Sequence, residues 1–139
     1  MAIPTNGMAP LLQVYDMPDA LAFYRDLLGF EIVSASTETD TPEGHFSHWM
    51  WLRLGPADIM LNTAYDEGER PDRRAADRQR WHSDTCLYFG CADVDAIYEK
   101  LRFRLPGITP PTDAPYGMRQ LYLSDPDGYG LCFQASIKT

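Results

Sequence analysis

The chain has 139 residues, 45% hydrophobic, 12% aromatic and 23% charged, with a net charge of −8, a size that suits one domain burying roughly two thirds of the surface its unfolded form would expose. This composition excludes a disordered chain and, with no run near the roughly 18 apolar residues of a spanning helix, a helical membrane protein. The negative charge argues against nucleic acid and anionic membranes as partners, and three cysteines (Cys86, Cys91 and Cys132) are too few for a secreted disulfide framework.

The opening stretch MAIPTNGMAPLLQVYD has no basic segment leading into an apolar one, as expected of a cytoplasmic protein. LLQVY reads as a first strand. Asp16 then caps a helix whose first turn holds Pro18, where the missing N–H is no loss. Ala20, Phe23, Tyr24, Leu27 and Leu28 recur at helical spacing as one stripe for burial, and Gly29 ends the helix. Strands are expected at 30–37, 46–54 and 58–63. The stretch 65–83, with EGERPDRRAADRQR, reads as a solvated loop with at most a turn of helix, or as a flap over a site.

The second half repeats the first. TCLYFGC is a strand, Asp93 caps a helix carrying Val94, Ile97, Tyr98 and Leu101, and strands are expected at 108–111, 117–124 and 130–135. Asp125-Pro126-Asp127-Gly128 turns the last pair, with Pro and Gly supplying fixed and positive φ. The predicted fold class is α+β, βαβββ twice, in a single domain 1–139: module one about 8–64, a charged linker 65–83 and module two about 84–136.

Two such modules, with Asp16-Met-Pro-Asp-Ala-Leu-Ala-Phe-Tyr-Arg-Asp-Leu-Leu-Gly-Phe30, Asp93-Val-Asp-Ala-Ile-Tyr and Asp125-Pro-Asp-Gly-Tyr, resemble the vicinal oxygen chelate superfamily. That group holds glyoxalase I, extradiol dioxygenases, fosfomycin-resistance enzymes and bleomycin-resistance proteins. The matching residues belong to the scaffold, so they identify the fold better than the reaction. The resemblance implies an open barrel-like sheet with helices on the convex face and a ligand in the concave trough.

Metal-dependent members place four ligands in that trough, typically His, Gln or Glu. By the likeness, the four positions here are Ala9, Met60, Cys86 and Cys132. Alanine cannot ligate, methionine is a poor ligand for hard or borderline ions, and no carboxylate or imidazole remains. Gln13 shares the face of Ala9 but lies about 13 Å along the strand. Cys86 and Cys132 read as small buried hydrophobes, or as two thiolates for a soft ion such as zinc or copper, with Met60 as a third ligand. His45 and His48 point to opposite faces of a strand, and His82 is expected to be exposed beside Trp81.

Strand alternation extends the trough. Cys86 brings Tyr88 to its face, and Cys132 brings Gln134. Trp49, Trp51 and Arg53 fall together, opposite Phe46, His48, Met50, Leu52 and Leu54; the second set suits the helix-packed side, which leaves the tryptophans for the trough unless they serve a core or a dimer interface. Leu121 and Leu123 suit the core, leaving Gln120 and Tyr122 for the ligand. The candidate ligand-binding set is Gln13, Trp49, Trp51, Arg53, Met60, Cys86, Tyr88, Gln120, Tyr122 and Cys132, a lining for stacking and apolar contact.

The expected function is a small-molecule binding protein without metal or cofactor, sequestering an aromatic or cationic compound, as in the bleomycin-resistance branch. Its members are homodimers with the ligand in grooves between subunits, so a homodimer is implied. The alternative is a metal-dependent lyase or dioxygenase with displaced ligands. A metal-free lyase or isomerase would use Tyr88, Tyr122 or Arg53.

Overall fold

The computed structural model describes residues 1–137; the last two residues of the expected domain lie outside the described residues. Two units are formed, Met1–Arg74 and Ala75–Thr139. The first contains β1 (Leu11–Val14), α1 (Met17–Leu21) continuing into a π-helical segment (Ala22–Leu27), β2 (Glu31–Ala35), β3 (Thr39–Thr41), β4 (Gly44–Phe46), β5 (Trp49–Leu54) and β6 (Ala57–Thr63). The second contains α2 (Arg78–His82), β7 (Cys86–Gly90), α3 (Val94–Leu101), β8 (Thr112–Asp113), β9 (Met118–Ser124) and β10 (Gly130–Ser136).

Each unit builds a four-stranded sheet, β1-β6-β5-β2 in the first and β7-β10-β9-β8 in the second. In each, the first strand lies parallel to the last and the remaining pairs are antiparallel. The two halves therefore share one connectivity, which is the structural form of the repeated Asp-cap pattern. The fold is α+β, and neither sheet closes on itself. No helix among the described residues is long and apolar enough to cross a membrane.

The helix starts form for the reason the sequence suggests. An Asp16 carboxylate oxygen accepts the Asp19 N–H at 3.0 Å, and Asp93 does the same for Ala96 at 3.1 Å, each cap contributing about 1 kcal/mol. Behind each sheet lies a core. In the first unit Leu12, Val14, Met50, Leu52, Ile59 and Leu61 are buried together with Met17, Ala20, Phe23 and Tyr24. In the second, α3 packs on β9 and β10, with Val94, Leu101, Leu121, Leu123, Leu131 and Phe133 buried.

Several boundaries differ from expectation. The stripe of helix one holds for Ala20, Phe23 and Tyr24, whereas Leu27 and Leu28 are only half-buried. The π-helical turn explains this: Leu28 N–H donates to the Phe23 carbonyl at 3.1 Å, a wider turn that rotates later residues off the buried face. Gly29 does end the helix, at φ +90°.

The strand expected over 46–54 is two. Phe46 ends β4, which pairs with β3 in a separate hairpin, and β5 starts at Trp49. Between them Ser47 Oγ donates to the Ser36 carbonyl at 2.6 Å. The strand expected at 108–111 appears as β8 at Thr112–Asp113, because Pro110 and Pro111 have no N–H for a ladder.

The charged stretch 65–83 is tied down at both ends. Arg70 reaches Asp16 at 2.7 Å and, with Arg74, stacks on the Tyr15 ring, while the Tyr15 hydroxyl donates to the Pro71 carbonyl at 2.6 Å. Further on, α2 buries Arg78 against Asp127 at 2.8 Å. His82, expected to be exposed, is half-buried: its ring stacks on Tyr129 at 4.0 Å between centroids, and its Nδ1 lies 2.8 Å from the Asp127 carbonyl.

Candidate functional site

The register of each sheet sorts its side chains into a helix-packed face and an open one. In the first unit Leu11 stands beside Met60, Gln13 beside Asn62, Trp49 beside Asn62, Trp51 beside Met60 and Arg53 beside Asp58. Gln13, Trp49, Trp51, Arg53 and Met60 thus share the face opposite buried Met50, Leu52, Ile59 and Leu61. Both tryptophans are half-buried and outside the helix-packed core. The Asn62 amide donates to the Gln13 side-chain oxygen at 3.2 Å, linking two carboxamides on this face.

Arg53 is not an available clamp. Its guanidinium forks onto Asp58, Nε to Oδ1 at 2.7 Å and Nη2 to Oδ2 at 3.0 Å. That bond holds the Asp58 carboxyl below its ordinary range, and the same pairing raises Arg53. The charges cancel locally, so the tryptophan face presents aromatic surface beside a closed ion pair.

In the second unit Cys132 stands between Tyr88 on β7 and Tyr122 on β9, while Cys86 stands beside Gly130 and Gln134 beside Gln120. Cys86, Tyr88, Gln120, Tyr122 and Cys132 therefore share the open face. The Tyr88 and Tyr122 rings meet edge to face at 6.4 Å between centroids. A Cβ at Gly130 would come within 3.3 Å of the Cys86 sulfur, so glycine there leaves the thiol its space.

Beneath the tyrosines the face is closed by a hydrogen-bond network. Tyr122 donates to Gln120 Oε1 at 3.1 Å, and Gln120 Nε2 donates to the Tyr116 hydroxyl at 2.8 Å and to Gln134 Oε1 at 3.0 Å. Gln120 is consequently only 4% exposed and Cys132 fully buried. The hydrogen bond with Tyr88, followed by burial, pushes the Tyr122 phenol up from its ordinary range, which keeps it protonated. Burial likewise pushes the Cys86 and Cys132 thiols up.

The donor chemistry does not fit a hard divalent ion, which takes oxygen ligands. The four positions carry a methyl, a thioether and two thiols, with no carboxylate or imidazole among them. Among the described residues no group of three or more His, Cys, Asp or Glu is placed to hold a metal. The histidines are engaged elsewhere, His45 with Asp40 and Glu38 and His48 near Thr39 Oγ1 at 3.3 Å.

These faces also hold residues outside the expected ligand-binding set. Asn62 follows Met60 at period two and was within reach of the alternation argument. Gln134 lies on the face of Cys132, as alternation along the last strand predicts. Tyr116 lies in the turn before β9, where no periodicity marks it.

The family model of the Glyoxalase/Bleomycin resistance protein/Dioxygenase superfamily matches residues 8–133. No curated protein matches. Among solved structures, TnmS3, an antibiotic binding protein from Streptomyces sp. CB03234, is similar with a TM-score of 0.67 and 21% identity, covering 97% of this chain and 99% of that one. The bleomycin-binding protein of Streptomyces verticillus, complexed with copper(II)-bleomycin, has a TM-score of 0.63 and 20% identity over 99% and 100% of the two chains. Lactoylglutathione lyase from Agrobacterium tumefaciens has 0.64 and 20% over 96% of each.

Proposed function

Because the chain belongs to the Glyoxalase/Bleomycin resistance protein/Dioxygenase superfamily, whose scaffold serves both binding and catalysis, we propose that it is a small-molecule binding protein that works without a metal. Its ligand is an aromatic or cationic compound, and each unit offers such a compound an open sheet face of its own, carrying Trp49 and Trp51 in the first unit and Tyr88 and Tyr122 in the second. The observation that carries this reading is the composition of those faces. They hold stacking rings, carboxamides, a thioether and protonated thiols, with the lone cation of the predicted set, Arg53, already bound to Asp58. Such surfaces suit stacking and cation–π contact, worth roughly 0.5–2 kcal/mol per favourable pair, and offer no poised acid or base. The two similar structures described as antibiotic binding and bleomycin-binding support the same class. By likeness to that branch, the working form is a homodimer, which sedimentation equilibrium tests.

Intrinsic fluorescence provides the decisive experiment. Of the three tryptophans only Trp81 lies outside these faces, so a Trp81→Phe variant leaves Trp49 and Trp51 as reporters. Titration with a panel of planar aromatic compounds, cationic and neutral, should quench the remaining emission and raise the unfolding temperature. A panel that produces neither effect overturns the reading.

A further inference from the structure

The hydrogen atoms of the second sheet's open face can be assigned one by one. Tyr122 gives its hydroxyl proton to Gln120 Oε1, and its hydroxyl also lies 3.3 Å from that of Tyr88. Gln120 uses both amide hydrogens, one on the Tyr116 oxygen and one on Gln134 Oε1. With its oxygen also occupied, this buried carboxamide is fully engaged. The network runs from Tyr122 through Gln120 and ends on two acceptors.

Those terminal groups keep donors of their own. The Tyr116 hydroxyl accepts from Gln120 and retains its proton, and Gln134 accepts on its carbonyl and retains its amide hydrogens. Neither Tyr116 Oη nor Gln134 Nε2 donates to any partner among the described residues, and Tyr116 is 66% exposed. The two groups that carry these donors are thus anchored on one buried residue, on the sheet face that carries the exposed rings of Tyr88 and Tyr122.

Resting on the reading that this face binds an aromatic compound, we propose that its Tyr116–Gln134 end is a carbonyl-recognition site, which takes a neutral planar aromatic compound by the oxygen of a ring ketone or amide. The carbonyl oxygen has two lone pairs and accepts from both donors at once. A cationic N–H compound brings donors to donors and leaves both site groups without an acceptor. Specificity of this kind is large because the mismatched partner strands polar groups on each side.

Acridone and 9-aminoacridinium test this directly, since they present the same tricycle with, at one carbon, a carbonyl oxygen or an amino group that shares the charge of the protonated ring nitrogen. Both fluoresce, so polarisation reads their affinity for wild type, Tyr116→Phe and Gln134→Glu. Acridone should bind wild type at least about tenfold more tightly, the worth of a good hydrogen bond. Tyr116→Phe should weaken acridone by about tenfold and leave 9-aminoacridinium within about twofold. Gln134→Glu keeps the acceptor for Gln120 and exchanges the outward donor for a carboxylate, so it should reverse the preference. Equal or tighter binding of 9-aminoacridinium to wild type overturns the inference while leaving the binding reading intact, as do variants that shift both probes alike. Failure of acridone to bind wild type also overturns the inference, and the binding reading falls with it only if the whole panel of aromatic compounds fails. Should a variant not fold, the wild-type preference still decides.

Discussion

At His45 the ring sits between two carboxylates, with Nδ1 2.6 Å from Asp40 and Nε2 3.1 Å from Glu38, both across or beside the β3–β4 hairpin. The Asp40 bond is the larger cause of a pKa raised above the ordinary imidazole value of about 6.5. A raised folded pKa means that the pairing stabilises the hairpin fully below about pH 6.5 and is lost as pH rises through the folded value. An NMR titration of the His45 ring should show that elevation, and Asp40→Asn should reduce it; a curve matching a free histidine contradicts the pairing. Cys132 offers a second expectation. It is fully buried with its thiol pushed up, so in the native protein a disulfide reagent should leave it unmodified, with all three cysteines reacting after denaturation. Rapid native labelling of Cys132, located by mass spectrometry, would contradict it. Its face was legible in the sequence because Cys132 and Gln134 alternate cleanly along β10. The burial of Gln120 was not, since the cover comes from Tyr116, a turn residue that only the folded chain brings over it.

The element least visible in the sequence is α2. Five residues within a run of charge read as solvated, and no periodicity marks Arg78 as the inward one. The partner is Asp127, distant in the chain and itself part of the turn motif, so the pairing is a tertiary fact with no local signature. Gln79 adds a bond to the Pro126 carbonyl at 2.9 Å, and a Cβ on Gly128 would fall 2.4 Å from the Gln79 backbone. Gly128 thus serves two needs at once, the positive φ of the turn and the close approach of the helix. Breaking one side of a buried ion pair leaves an uncompensated charge, at a cost of about 3–5 kcal/mol, whereas replacing both sides with apolar groups is often neutral. Arg78→Met alone should therefore destabilise the protein by about that amount in urea unfolding, and the double variant Arg78→Met/Asp127→Leu should recover most of it. A single variant as stable as wild type would show that the pair contributes nothing. The hairpin β3–β4 was missed for a related reason: Phe46 matches the alternation of β5 in sequence, and only the Ser47–Ser36 bond reveals that the chain breaks between them.

For the whole molecule, what the sequence carried was repetition. Two capping aspartates, each between a strand and an amphipathic helix, anticipate two sheets of identical strand order, because each half solves the same burial problem with the same pattern. What it could not carry was an occupant, since the scaffold motifs that mark the superfamily lie away from the ligand faces. Metal content is the property on which binding protein and metalloenzyme part most sharply. A ligand that binds only the folded state stabilises it by about 2.7 kcal/mol at a hundredfold excess over its Kd, and in a domain of this size that corresponds to an upward shift of at least about 5 °C. The metal-free reading expects no such shift when zinc, nickel or iron(II) is added to the chelator-treated protein, and no stoichiometric metal by elemental analysis. One metal per chain with a shift of that size, both abolished by Cys86→Ser, would make the two thiols ligands. That result would replace the binding reading with a lyase or dioxygenase whose metal is held by Cys86 and Cys132.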